Sequence, residues 1–106
     1  MQPLRTPLVI GDGAMDRYSY YQQGDVLYLS VGPPTGRPAP DMDETLEGDT
    51  VFFDADGHVT GVTMIGPRIM LERDGTLNVT LPSRRIAARF PREVVEPLLV
   101  ETLRYA

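Results

Sequence analysis

The chain has no cysteine, no lysine and only one histidine among its 106 residues. The absence of thiols excludes disulfides, thiolate zinc sites and a catalytic cysteine, and it accords with a reducing compartment. A lone histidine, His58, cannot build a histidine-based metal site within one chain. A Ser-His-Asp constellation would need Ser19, Ser30 or Ser83 to reach it, with no supporting motif. No stretch approaches the ~20 apolar residues of a membrane span, and Leu8-Val9-Ile10 is too short for a signal-peptide core. The expectation is a cytoplasmic protein with no membrane association, no catalytic residues, no metal and no cofactor. All ten basic residues are arginine and face 15 carboxylates, a net charge of −5 that repels phosphate backbones, so nucleic acid is not an expected partner.

The strongest local signal is Asp49-Thr-Val-Phe-Phe-Asp-Ala-Asp-Gly-His-Val-Thr-Gly-Val-Thr-Met64. Two runs rich in β-branched and aromatic residues flank Asp56-Gly57, a pair suited to positive φ, so the segment predicts a β-hairpin of strands 50–54 and 59–65. Alternation places Val51 and Phe53 on one face and Phe52 on the other; on the second strand Val62 and Met64 oppose Val59 and Ile65. A first hairpin is expected from 17–21 and 25–31, where Leu27, Leu29 and Val31 alternate with Val26, Tyr28 and Ser30. After Gly66-Pro67 a third hairpin is expected from 68–73 and 76–81 about Asp74-Gly75, with Leu77, Val79 and Leu81 on the buried side.

The remaining segments read differently. Residues 1–14 predict a flexible tail able to dock as an edge strand. Residues 32–48 carry Pro33, Pro34, Pro38, Pro40 and a run of carboxylates, which predicts a long exposed acidic loop outside the core. Residues 83–90 are compatible with a short helical turn. From 92 to 104 the apolar residues Val94, Val95, Leu98, Leu99 and Leu103 recur at three and four, giving an amphipathic helix that Pro97 either kinks or restarts. The fold class is therefore α+β, mainly β. The expected architecture is a single domain over 15–106, an antiparallel meander of about six strands followed by a C-terminal helix.

Candidate functional residues are few. Asp54, Asp56 and Gly57 resemble part of a calcium loop, but Phe52 and Thr63 fall where that loop needs carboxylates. Gly11-Asp-Gly-Ala-Met-Asp16 lacks the third glycine and the strand-loop-helix setting of a dinucleotide site. Tyr18, Tyr20, Tyr21 and Tyr28 cluster on the first hairpin, as core or as a stacking surface.

Tyr20-Tyr-Gln-Gln-Gly-Asp-Val-Leu-Tyr-Leu29, a variable loop and then the Asp49 to Val62 segment together resemble the small bacterial family catalogued as domain of unknown function 2283. The resemblance covers about residues 16–65. Asp25, Leu27, Tyr28, Asp54, Gly57 and Gly61 fall on its pattern, whereas Thr63 stands where the family tends to have Glu. The resemblance implies no established activity; it implies an antitoxin-like or accessory role beside a protein partner.

Two functional classes follow. The first is a non-catalytic binding module that self-associates, its acidic 41–49 segment suited to a basic partner surface. Both faces of the central hairpin are apolar and one helix covers only one of them. Tyr28, Phe52, Met64 and Met70 are thus expected on an open face closed by a second copy, unless the sheet curls into a barrel. The second class is a small-molecule or divalent-metal-binding domain, hydrolytic in its extreme form, using Asp25, Asp54 and Asp56 near the tyrosines.

Overall fold

A computed structural model describes residues 1–100, and within them the protein is mainly β with short helices. Eight strands form: β1 (Gln2–Ile10), β2 (Gly13–Tyr21), β3 (Val26–Ser30), β4 (Asp41–Glu44), β5 (Thr50–Phe53), β6 (Val59–Ile65), β7 (Thr76–Leu81) and β8 (Ile86–Pro91). The first six make one antiparallel sheet in the order β1-β2-β3-β6-β5-β4, and β7 pairs with β8 alone. Helix α1 (Pro67–Asp74) precedes β7, and α2 (Arg92–Val95) runs into a 3₁₀ turn (Glu96–Leu98). No described helix is long and apolar enough to cross a membrane.

The first and the central expected hairpins, β2–β3 and β5–β6, form as the alternation requires. Leu27, Leu29, Val51, Phe53, Val62 and Met64 all point to one face, where they join Leu77, Val79 and Leu81 from β7 in a single core. Val59, expected on the opposite side, is also in that core. The cause is a β-bulge: Phe52 pairs with Gly61 and Phe53 with Val59, so Thr60 is an extra residue and the alternation restarts beyond it.

Five segments depart from the expectations. The tail is strand β1, hairpinned to β2 through Gly11-Asp12, with Gly11 at φ 61°. Leu8 and Ile10 bury on the core face while Pro3, Pro7 and an irregular register blunt its outer edge. The expected acidic loop is irregular only over 31–40: residues 41–44 form edge strand β4, and 45–49 form a closed turn back into β5. Residues 83–90, compatible with a helical turn, instead supply a 3₁₀ turn (Pro82–Arg84) and strand β8. The sheet is open, with β1 and β4 as its edges, and not a barrel.

The largest correction is 68–73, which is helix and not strand. Gly66 and Gly75 both take the left-handed conformation at its ends, Pro67 occupies the first turn, and Gly75 N–H closes on Leu71 O. Pro67, Met70 and Leu71 bury at a spacing of three and four, the helical period. The open N–H groups of the first turn are met from the β2–β3 turn. Asp25 Oδ1 accepts from Arg68 N–H (3.1 Å), Oδ2 from Ile69 N–H (3.4 Å), and the Asp25 carbonyl from Gly66 N–H (2.8 Å).

The C-terminal helix is shorter than its periodicity predicts. Pro97 ends regular α geometry and sits in the 3₁₀ turn, while the portion of the expected helix beyond residue 100 lies outside the described residues. Val95, Leu98 and Leu99 nevertheless bury in the core. Arg92 donates to Leu71 O (2.9 Å) and Arg68 to Leu99 O, which fixes this segment on α1.

Asp25 sits at φ 51°, where asparagine and aspartate are tolerated and most side chains are strained. Asp25→Ala should lower the urea unfolding free energy by about 1–2 kcal/mol at unchanged m, the scale of a lost helix cap. Asp25→Asn, which keeps the backbone tolerance and one acceptor, should lose less. Equal stability of Asp25→Ala and wild type would reject this assignment.

Candidate binding surface

The topology creates one groove of note. Because β6 and β5 lie between β3 and β4, the chain leaving β3 must pass both to reach the outer edge, and segment 31–40 does so near the β5–β6 turn, beside Tyr28, Phe52 and Gly61 of the face that the core layer leaves uncovered. Val31 N–H bonds Thr60 O (2.9 Å) and Gly32 N–H bonds Asp16 Oδ1 (2.7 Å), which anchors the start of the crossing. Its prolines wall a groove of about 710 Å³ whose floor includes Tyr28, Phe52, Gly61 and Thr63. Gly61 suits the close approach of β3: a Cβ there would stand 3.0 Å from Leu29 O, tighter than side chains usually sit, and 3.8 Å from the Phe52 ring.

The uncovered face carries the alternate residues of each strand. Across it run Tyr21 and Val26; then Tyr28 opposite Thr63; then Ser30, Gly61, Phe52 and Met42 in register. Tyr28 is 42% exposed, and Tyr21, Met42 and Ile65 are likewise exposed.

Of the seven residues singled out by sequence, three meet at the groove: Tyr28, Phe52 and Asp54. Met64 and Met70 do not. Met64 is 1% exposed because it pairs with Leu27 on the covered face, and Met70 is buried on α1, its Sδ accepting from Asn78 N–H (3.3 Å). Asp25 is committed to α1 and to Tyr20, whose hydroxyl donates to Oδ1 at 2.7 Å. Burial, then the Asp25 carboxylate, hold the Tyr20 phenol above its ordinary pKa. Asp54 Oδ1 accepts from Asp56 N–H and His58 N–H (both 2.9 Å), a local turn, and Asp56 is exposed beside it. The tyrosines divide: Tyr20 is core, Tyr18 packs against the core, and Tyr21 and Tyr28 lie on the uncovered face.

A polar cluster lies at one end of the sheet. Asp12, in the β1–β2 turn, accepts from Val59 N–H (2.9 Å) and holds His58 Nδ1 at 2.7 Å. The hydrogen bond to Asp12 raises the His58 pKa, with Asp54 acting in the same direction, while His58 lowers that of Asp12. No described serine hydrogen-bonds His58, so the pair lacks the nucleophile of a triad. Among the described residues no three His, Asp or Glu side chains converge as a metal site.

The charged segments also meet each other. Asp41 and Asp43, two apart on β4, share a side and bind one cation: Arg84 Nη2 reaches Asp41 at 2.6 Å and Nε reaches Asp43 at 2.8 Å. The same guanidinium lies 4.0 Å from the Phe53 ring centroid. Glu47 accepts both the N–H (2.8 Å) and the hydroxyl (2.7 Å) of Thr80. Sequence reasoning missed Asp12, Asp49 and Arg84. The turn signal Gly11-Asp12-Gly13 between apolar residues would have located Asp12; the partners of the other two are distant in sequence.

Set against models of protein families, curated proteins and solved structures, the chain finds no match in any of the three comparisons.

The Asp12–His58 pair has a definite pH signature. Its histidine contribution is present below the ordinary His pKa of 6.5 and is lost as pH rises through the higher folded value. The aspartate contribution is present above 3.8 and lost as pH falls through the lower folded value. NMR titration of the His58 ring should give a midpoint above 6.5 that moves down in Asp12→Asn. A midpoint unchanged by that substitution would show the contact to be absent in solution.

Proposed function

We propose that the protein is a non-catalytic binding module that self-associates through the uncovered face of its six-stranded sheet. The observation that carries this reading is the set of exposed Tyr21, Tyr28, Met42 and Ile65 with half-buried Phe52, on a face that only the irregular segment 31–40 adjoins, opposite the face that holds the core. Edge pairing is a poor alternative. β4 is four residues long with three carboxylates, and β1 carries two prolines and an interrupted register. A closed twofold pairing that buries more than ~1,000 Å² would suit the face.

An antitoxin-like or accessory role, implied by the resemblance to the uncharacterised family, fits this reading as binding to a protein partner. The acidic segment is not the surface we propose for it. Asp41 and Asp43 are engaged by Arg84, Glu47 by Thr80, and Asp49 is buried, so these charges serve internal contacts. A cytoplasmic setting belongs to the same proposal.

The groove under segment 31–40 favours a second reading, an apolar small-molecule site on the same face. Its size lies within the ~300–1,000 Å³ range of ligand pockets. Such a site would rest on Tyr28, Phe52 and the proline rings, because the carboxylates of Asp25 and Asp54 are already committed to backbone N–H groups.

Light scattering after size exclusion separates the readings. At tens of micromolar the mass should be that of two chains, and Phe52→Glu should return it to one while far-UV circular dichroism is unchanged. A wild-type mass of one chain rejects self-association; saturable quenching of the groove tyrosine by an apolar ligand in that monomer would favour the second reading.

A further inference from the structure

The 45–49 turn joins two parts of the molecule that share no other strand pairing. Within the turn, Thr45 N–H bonds Asp49 O (2.8 Å), Gly48 N–H bonds Thr45 O (3.0 Å), and Asp49 N–H bonds Thr45 Oγ1 (3.0 Å). Outward, Leu46 N–H bonds Thr80 O (2.9 Å), and Glu47 takes the Thr80 N–H and hydroxyl. Those Thr80 backbone groups lie on the edge of β7 away from β8, so the turn seals an otherwise unpaired strand edge.

At the base of this turn lies a carboxylate that the closed form houses poorly. Asp49 is 0% exposed, Oδ1 accepts from Ile65 N–H at 2.8 Å, and Oδ2 has no partner. Burial pushes its pKa up to about 6, the nearby Glu47 carboxylate acts the same way, and the Ile65 N–H opposes them. β6 presents an uncharged amide to it, β7 meets the turn through uncharged Thr80, and no arginine of the described residues offsets its charge.

We infer that the 45–49 turn is a proton-operated latch: protonated Asp49 keeps it closed on β7, and ionised Asp49, an unpaired buried charge beside Glu47, favours its release and bares the edge at Thr80. The latch is independent of the open-face reading. Because the folded pKa lies above the ordinary 3.8, closure is favoured fully below that value and its advantage declines as pH rises to about 6. The carboxyls whose pKa values are lowered, Asp12, Asp41 and Asp74, stay ionised through the upper part of this window.

Amide hydrogen exchange by NMR on the full chain between pH 4.5 and 7.5, each rate divided by its intrinsic value, tests the latch. Protection at Leu46, Ile65 and Thr80 should fall at least ~10-fold, and at most roughly a hundredfold, with a midpoint near 6, while Val62 and Leu27 hold. Asp49→Asn should keep the three amides protected throughout. Should that variant not fold, Glu47→Gln serves, because removing the neighbouring charge should move the midpoint to lower pH. A flat wild-type profile, an equal fall at Val62, a pH dependence that persists in Asp49→Asn, or an unmoved midpoint in Glu47→Gln overturns the inference.

Discussion

The packing of the molecule depends on one residue between β2 and β3. Asp25 adopts a left-handed backbone, and that conformation aims both its carbonyl and its carboxylate at the start of α1. A helix of eight residues has little stability of its own, so its buried Met70 and Leu71 and the acceptors for its open N–H groups together favour it there. Once α1 is seated, Met70 and Leu71 reach the core, and Arg92 and Arg68 draw the C-terminal segment over it. β7 and β8 complete the covering layer. The Tyr20 hydroxyl on the same carboxylate ties this joint to the centre of the sheet.

A second constraint is electrostatic. An excess of carboxylates crowded into 41–56 would repel itself, and the fold relieves this by spending them locally. Arg84 bridges Asp41 and Asp43 while stacking on Phe53; Asp54 closes its own turn; Asp12 reaches across to His58. Exposed pairs of this kind contribute little individually, because water screens them. Their value is geometric, since each joins a loop of one hairpin to a neighbour. Asp49 is the exception, a buried carboxyl with one backbone hydrogen bond, an unpartnered Oδ2 and no counter-charge.

The strand order also shapes the surface. With β5 and β6 between β3 and the outer strand, 31–40 must pass both of them, and its prolines form the wall of a groove beside Tyr28 and Phe52. The same order sends acidic β4 to one edge and proline-bearing β1 to the other. Association by strand addition is thereby discouraged at both edges.

Local chemistry in the chain determined the parts with short-range causes. Alternation in 26–30, 50–53 and 76–81 identified core-facing residues correctly, Asp56-Gly57 marked its hairpin, and the mainly β class followed. Of the candidate site, Tyr28 and Phe52 were legible because the alternation of β3 and of β5 places each on the outer side of its strand. Met64 was misplaced because its pairing with Leu27 is set by inter-strand register, and Met70 because its segment is helix. Segment 68–73 reads as a strand by its apolar content, yet its flanking Pro67 and Gly75 are helix signals, and a carboxylate 43 residues earlier supplies the cap. Tertiary structure alone decided the bulge at Thr60, the capture of Asp41 and Asp43 by Arg84 and the burial of Asp49. The last two depend on groups far apart in the chain, and a one-dimensional pattern holds no record of which distant strand edge or charge will lie beside a residue once the layers close; the bulge is a matter of register, which alternation alone does not mark.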